Sequence, residues 1–525
     1  MHGLAASGGR IVALGGTDEL AAAFRGYERV DLGGATALPG FVDSHIHLAP
    51  YGIALRRLNV AAVRSLPEAV EAVAAAVARE RPGAWILGRG WDKNVWPEDR
   101  FPSAADLDAV SPHHPVALSS KDGHLLWVNT AALRLAGVTG QTPDPPGGEI
   151  ARDRRGEPVG IFKEESAKAL VGKVIPSGDT PAIERGIHDA AAMLHRVGIT
   201  GVHSFVGTEA YEGGKVLSVL QQLAARGALR LRVWATLPLG ELEAAAAGGR
   251  RSGVGDEWLR VGPVKVFADG TLGSQTASML EPFDGQPHNS GIAIHSREEL
   301  IAIVRRAVAA GFWCAIHAIG DRANRWVLDA YEASEEASRR LGARHRIEHV
   351  QVLHPDDLPR LARMGVTASM QPIHATSDRD IADRYWGTRS RTAYAWRSLL
   401  RAGTALAFGS DAPVETPDPW QGIYAAVTRR RPGDSRPAWY PDETLSVEEA
   451  VRAYTVGAAR ASGEEGIHGS LAPGRLADFI ALDRDVMTEA PRDPEVLLQV
   501  RVLATVIAGV PVYEAGPLAG LSSSL

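Results

Sequence analysis

A closed barrel of eight parallel β-strands is the fold class this sequence predicts, a (β/α)8 TIM-type barrel in the α/β class. Two observations predict it. Short apolar runs alternate with amphipathic helical stretches through most of the 525 residues, as buried parallel strands and their crossover helices do. The strand-like runs also number eight: TALPGFVDSH, GITGVHSF, RLRVWATL, VGPVKVFADG, FWCAIHAIG, RIEHVQ, GVTASMQ and ALAFGSD. An open doubly wound sheet competes, but no GxGxxG follows an early strand.

The helical stretches between these runs include TPAIERGIHDAAAMLHRVG, SREELIAIVRRAVAAG, NRWVLDAYEASEEASRR and HPDDLPRLARMG. Alanine-rich runs at 72–78 and 244–247 are further helix formers. Two regions fall outside the barrel. Residues 1–37 and 467–525 carry short β-type pieces with glycine turns, which predicts one small, sandwich-like β-domain built from both chain ends. Residues 58–180, rich in Trp, Pro and Gly, are too long for a plain loop and predict an inserted subdomain over the barrel mouth. The barrel then comprises 38–57 and 181–466.

Composition bounds the partners. Net charge is −6, with 45% hydrophobic and 22% charged residues, which is ordinary for a globular chain and argues against a nucleic-acid partner. The densest basic run, Arg429-Arg430-Arg431, reads as a solvated loop. Cys314 is the single cysteine, so no intrachain disulfide forms, in keeping with a reducing cytoplasm. Set in FWCAIH, it reads as a buried strand residue. No secretory leader is legible at the N-terminus, and no run of about eighteen apolar residues suggests a membrane span. The expected partner is a small-molecule substrate. A homodimer is the commonest oligomer of such proteins.

The chemistry is written at the strand ends. His45 and His47 close strand one in FVDSHIH; two residues apart on a strand, both imidazoles face the barrel axis. His317 ends strand five, His349 strand six and Asp411 strand eight, while Lys265 lies on strand four. Each alone has a bland reading: an HxH pair arises by chance, and Asp411 would serve as a helix cap. Together they fall at the same end of different strands, where barrels of this type carry their chemistry. Four imidazoles and a carboxylate suit Zn2+ or another divalent metal, one or two per subunit.

PGFVDSHIH, VKVFADG, IHAIGDRA, RIEHVQ and FGSDAPV resemble, in order, the motifs of the amidohydrolase superfamily. The longer stretches KDGHLLWVNTAAL, GGEIARDRRGEPVGIFKE, ADGTLGSQTA, SMQPIHATSD and GSLAPGRLADFIALD look like its amidohydrolase-3, or YtcJ-like, branch, which includes N-substituted formamide deformylases. That branch has a longer β-segment ahead of the GRIVALGG strand than this chain shows. The resemblance implies a hydrolase with His45, His47, His317, His349 and Asp411 as metal ligands. It also aligns Lys265 with a lysine that CO2 carboxylates in related members, giving a carbamate that bridges two metals. This requires a neutral amine, hence a lowered pKa. An unmodified Lys265 paired with Asp269 or substrate is the other reading.

The expected mechanism follows. A bound divalent ion lowers the pKa of its water to about 7 and supplies hydroxide. Asp411 accepts the proton and passes it to the departing amine. His124 is a candidate donor to the oxyanion. Amide hydrolysis of N-substituted formamides or other N-acyl amines is the leading reaction. Deamination, or opening of a cyclic amide or ester, is the alternative, and a non-catalytic barrel is a third reading. Trp91, Trp96, Trp127 and Asn129 of the insertion, with Asp269, Gln371 and His374, are the expected substrate contacts. Asp378 lies nearby, and Arg384 and Arg391 are candidates for a substrate carboxylate.

Overall fold

A computed structural model of the chain describes residues 3–98, 100–176, 179–207 and 215–520. The eight runs form eight parallel strands hydrogen-bonded in chain order. They are β1 (Phe41–Ile46), β2 (Ile199–Ser204), β3 (Arg232–Pro238), β4 (Leu259–Phe267), β5 (Cys314–Ala318), β6 (Arg346–His349), β7 (Thr367–Met370) and β8 (Leu406–Phe408). Helices cover their outer faces, so residues such as Val264, Ile316, Ile347 and Ala368 are fully buried. The segment after β8 joins the last strand to the first: the Asp411 N–H donates to the His45 carbonyl at 2.7 Å, and the His47 N–H to the Ala412 carbonyl at 2.9 Å.

The helices carry their own punctuation. Ser296 caps Arg297–Ala309 through a capping box with Glu299, and Asp179 caps Thr180–Arg196. NRWVLDAYEASEEASRR is not one helix but two, Asp321–Glu332 and Glu335–Leu341, parted at Ala333 and Ser334.

TALPGFVDSH likewise is not one strand. Thr36–Pro39 pairs antiparallel with Phe479–Leu482 in a four-stranded sheet completed by Val502–Ile507 and Val510–Glu514. Gly40 separates it from β1. A side chain there would meet Thr200 at 2.4 Å, so Gly40 marks a close approach between barrel strands. The first hairpin, Gly3–Ser7 with Arg10–Gly15, reaches the C-terminal region through the Ile11 N–H, 2.8 Å from the Arg475 carbonyl.

A six-stranded sheet lies between β1 and β2 in the chain. Its strands run from Leu58–Asn59 to Pro158–Lys163, with helices that include Leu66–Val77 and Glu164–Gly172. Asp122 fastens it to the barrel, accepting from Thr271 Oγ1 at 2.6 Å and Ser274 Oγ at 2.5 Å in the loop after β4. No helix among the described residues is long and apolar enough to cross a membrane.

Candidate metal centre

β1 delivers two imidazoles to one carboxylate. Asp411 Oδ1 lies 3.5 Å from His45 Nε2 and 3.2 Å from His47 Nε2. Its second oxygen lies 3.8 Å from His374 Nε2. Donor atoms of His45, His47 and Asp411 lie within 4.8 Å of one another, as do those of His349, His374 and Asp411. A tetrahedral ion with ligands at about 2.0–2.1 Å spaces its donors about 3.3 Å apart, so these separations already approach a coordination shell. His45 Nε2 and His374 Nε2 are buried with no hydrogen-bond partner. Such atoms are costly unless something satisfies them. The donor set fits a divalent cation.

The protonation states agree with that fit. Burial lowers His45 to about 4 and holds His317 and His349 well below the ordinary histidine range, so these rings are neutral and offer lone pairs. Burial works against an ionised Asp411, but the histidines around it outweigh that and keep its pKa well below the usual carboxylate value.

Two of the rings are held from behind. His45 Nδ1 meets Glu348 Oε2 at 2.7 Å, and His349 Nδ1 meets Gln371 Oε1 at 2.8 Å. Such partners fix the tautomer and aim the other nitrogen at the metal. The ring of His45 also stacks on Phe205, with centroids 3.7 Å apart. Asp43 secures the junction, accepting from the His45 N–H and from the N–H and hydroxyl of Ser410. Its burial raises it to about 7, against the pull of those hydrogen bonds. His317 differs: its Nε2 is 3.0 Å from the Gly270 carbonyl, and its ring packs on that of His349 with centroids 4.6 Å apart. His317 lies outside both triads of donor atoms.

Lys265 is buried, with Nζ 4.6 Å from the ring centre of Phe205 and 4.4 Å from that of Phe267. Desolvation lowers it to about 8, which brings a neutral amine within reach near physiological pH.

A cavity of about 290 Å³ opens over these residues, between the barrel mouth and the inserted sheet. His124 reaches its wall from the insertion, with Nδ1 2.7 Å from Glu164 Oε2 and its ring 5.2 Å from that of His317. Burial would lower His124, but Glu164 and Asp122 outweigh it and raise the pKa, favouring the protonated ring. Trp91, His374 and Asp378 also line the cavity.

Other expected substrate contacts are corrected. Trp96 and Trp127 pack with Trp91 in the core of the insertion and lie outside the cavity wall, because three indoles fill its apolar interior. Asn129 is spent on structure, capping Thr130–Ala136 and donating to Ser111 and His114. Asp269 accepts the N–H groups of Ser278, Ile319 and Gly320, so it ties the loops after β4 and β5 together. Gln371 orients His349 from outside the wall. Arg384 and Arg391 are exposed. Arg429 is not in a solvated loop: its guanidinium is buried between Trp396 and Trp439 and donates to the Tyr394 and Trp439 carbonyls. Cys314 is buried as expected, its thiol pushed up to about 12.

Sequence reasoning missed the charges beneath the site. Arg346 and Glu348 are fully buried, and Arg346 also reaches His203 Nδ1 at 2.7 Å and the Ser44 carbonyl. Their spacing in RIEH, two residues apart on an inward face, was the available signal.

Residues 28–513 match the model of the Amidohydrolase family. YtcJ of Bacillus subtilis (strain 168), which carries the name of an amidohydrolase, is 34% identical over 93% of this chain and 90% of its own. An N-substituted formamide deformylase of Arthrobacter pascens is 30% identical over 97% of this chain and 94% of its own. The crystal structure of an uncharacterized metal-dependent hydrolase from Pyrococcus horikoshii OT3 superposes with a TM-score of 0.74 at 29% identity, covering 92% of this chain and 94% of that one. With neutral imidazoles and an ionised carboxylate gathered at one rim of a parallel barrel, this chain belongs to the amidohydrolase family and is a metal-dependent hydrolase.

Proposed function

We propose that this enzyme cleaves the C–N bond of small N-acyl amines, N-substituted formamides foremost, in a zinc-dependent reaction. One observation carries the reading: an ionised Asp411 sits among three imidazoles on the wall of a cavity of about 290 Å³, a size that suits a small molecule. The name of the Arthrobacter pascens relative supports the substrate class.

His45, His47 and Asp411 would hold a divalent ion, which would supply Lewis acidity and lower the pKa of water at the site. Asp411 takes the proton released as the carbonyl is attacked and delivers it to the amine nitrogen, which leaves poorly unless protonated. His124, held by Glu164, donates to the carbonyl oxygen as negative charge builds there. Lys265 is the candidate for a carbamate, since burial favours the neutral amine that CO2 needs.

The test is a panel of N-formyl and N-acyl amines given to zinc-loaded enzyme, with amine and carboxylate release measured together. Equimolar amine and carboxylate are expected, with N-formyl compounds turned over fastest. Asp411→Asn should lose turnover beyond any loss of metal. Ammonia release from ring substrates, with N-acyl amines untouched, would point to deamination instead.

A further inference from the structure

We propose that Arg431 selects substrates by charge: it binds a carboxylate at the far end of the N-substituent, so that the preferred substrates are N-acylated ω-amino acids. The proposal rests on the hydrolytic reading above. In that reading the acyl side is a formyl or other short group, which leaves the amine side to carry the carboxylate.

Arg431 lies outside the metal centre. It follows the helix Pro419–Thr428, and its half-buried side chain lines the cavity rather than a solvated loop. Its Nε donates to the Thr376 carbonyl at 2.7 Å and its Nη2 to the Ser377 carbonyl. Those two bonds occupy one edge of the guanidinium. The next edge, Nη1 with the second hydrogen of Nη2, has no hydrogen-bond partner among the described residues. Two parallel N–H groups on such an edge match the two oxygens of a carboxylate.

The charge of Arg431 is also unclaimed. Acidic residues of the same wall have partners of their own. Glu415 meets Lys121 Nζ at 2.7 Å and accepts from Ser377 Oγ at 2.6 Å. Asp378 accepts from the Tyr394 hydroxyl, and Asp380 from Arg436 Nη1 at 2.6 Å. Arg431 forms no ion pair among the described residues. A cation held on backbone carbonyls, with its fork open, is preorganised for an anion from outside. A single cation with a single fork suits a monoanion.

The anchors fix where that anion lies. Thr376 and Ser377 follow His374 in the helix Pro372–Trp386. At about 1.5 Å of rise per residue, the guanidinium stands about 5 Å, one helical turn, beyond the metal-facing ring. A carboxylate on the carbon next to the amide nitrogen falls short of it. One set several methylene groups away reaches it. Ile381, Pro413 and Val414 line the cavity and offer apolar surface to such a spacer.

The probes are N-formyl-ε-aminocaproate, its neutral counterpart N-formylhexylamine, and N-formylglycine. Each is given to zinc-loaded wild type, Arg431→Met and Arg431→Lys. Wild type should favour N-formyl-ε-aminocaproate over N-formylhexylamine by about 10- to 100-fold in kcat/KM, chiefly through KM. That ratio should collapse towards one in Arg431→Met. Arg431→Lys keeps the charge without the fork and should restore part of it. N-formylglycine should gain nothing from Arg431. A wild-type ratio near one would overturn the proposal. So would an unchanged ratio in Arg431→Met with both substrates slowed alike, the mark of an arginine that only braces the helix. Calorimetric titration of Asp411→Asn protein with N-formyl-ε-aminocaproate keeps the two readings apart. Affinity that falls about 10-fold or more when Arg431→Met is added, while wild type releases no amine from any probe, would sink the hydrolytic reading and keep the carboxylate site. Amine release with no such fall in affinity would sink the carboxylate site alone.

Discussion

Glu348 is a fully buried carboxylate that serves two cationic or polar partners, Arg346 and the Nδ1 of His45. An uncompensated buried charge costs several kcal/mol, so the pair holds together only because Arg346 also donates to Ser44, Ser369 and His203. The result is a His45 whose proton points away from the rim and whose lone pair points into it. Glu348→Gln should weaken zinc binding about 10–100-fold, measured by competition with a chromophoric chelator; an unchanged affinity would deny Glu348 this role. The metal-facing residues were legible because each ends an apolar run. The backbone turn that follows Glu348 was not. Strict alternation sends neighbours to opposite faces, yet the side chains of Glu348 and His349 both reach the site, and the backbone turns left-handed at His349 (φ 74°) and Val350 (φ 46°). Nothing in RIEHVQ announces that turn. His374 was legible as a polar residue at the mouth, but its approach to Asp411 depends on how the helix after β7 lies.

The seam between β8 and β1 is the element on which the site depends. Asp411 stands there in a left-handed conformation (φ 58°), its N–H on the His45 carbonyl, while Asp43 grips Ser410. A Cβ on Gly409 would come within 2.4 Å of the His45 backbone nitrogen, a clash that no side-chain rotation relieves. Gly409→Ala should therefore cost about 1–3 kcal/mol by forcing the strands apart, and should weaken metal binding with it. Thermal unfolding read beside zinc content checks this, and a variant with wild-type values in both would show the seam to be tolerant. The eight strands were legible because parallel strands buried on both faces are almost continuously apolar. The break at Gly40 was not, since TALPGFVDSH is apolar on either side and only pairing with Phe479–Leu482 divides it.

At the scale of the molecule, the barrel and the inserted sheet meet around one cavity. The alternation of strands and helices carried the barrel. The place of the insertion's tryptophans was harder to read, because Trp serves a core and a binding wall equally well. Two buried histidines far from the rim make the whole fold sensitive to acid. Burial holds His195 and His345 at about 4, against 6.5 for an unperturbed ring. Between pH 6.5 and 4 the unfolded chain takes up protons that the folded chain refuses. Stability is therefore whole above 6.5 and falls as pH drops through that window, by about 3 kcal/mol per histidine at its acid end. His195→Gln, which keeps a donor for the Arg230 carbonyl, should flatten part of this decline in the melting temperature. An equally steep decline in the variant would remove His195 from the account.

The most direct test of the metal centre is anomalous diffraction at the zinc edge from crystals of the zinc-loaded protein. A peak about 2.0–2.2 Å from His45 Nε2, His47 Nε2 and Asp411 Oδ1 is the predicted result. A protein that turns over substrate with no anomalous peak at those three atoms would contradict it.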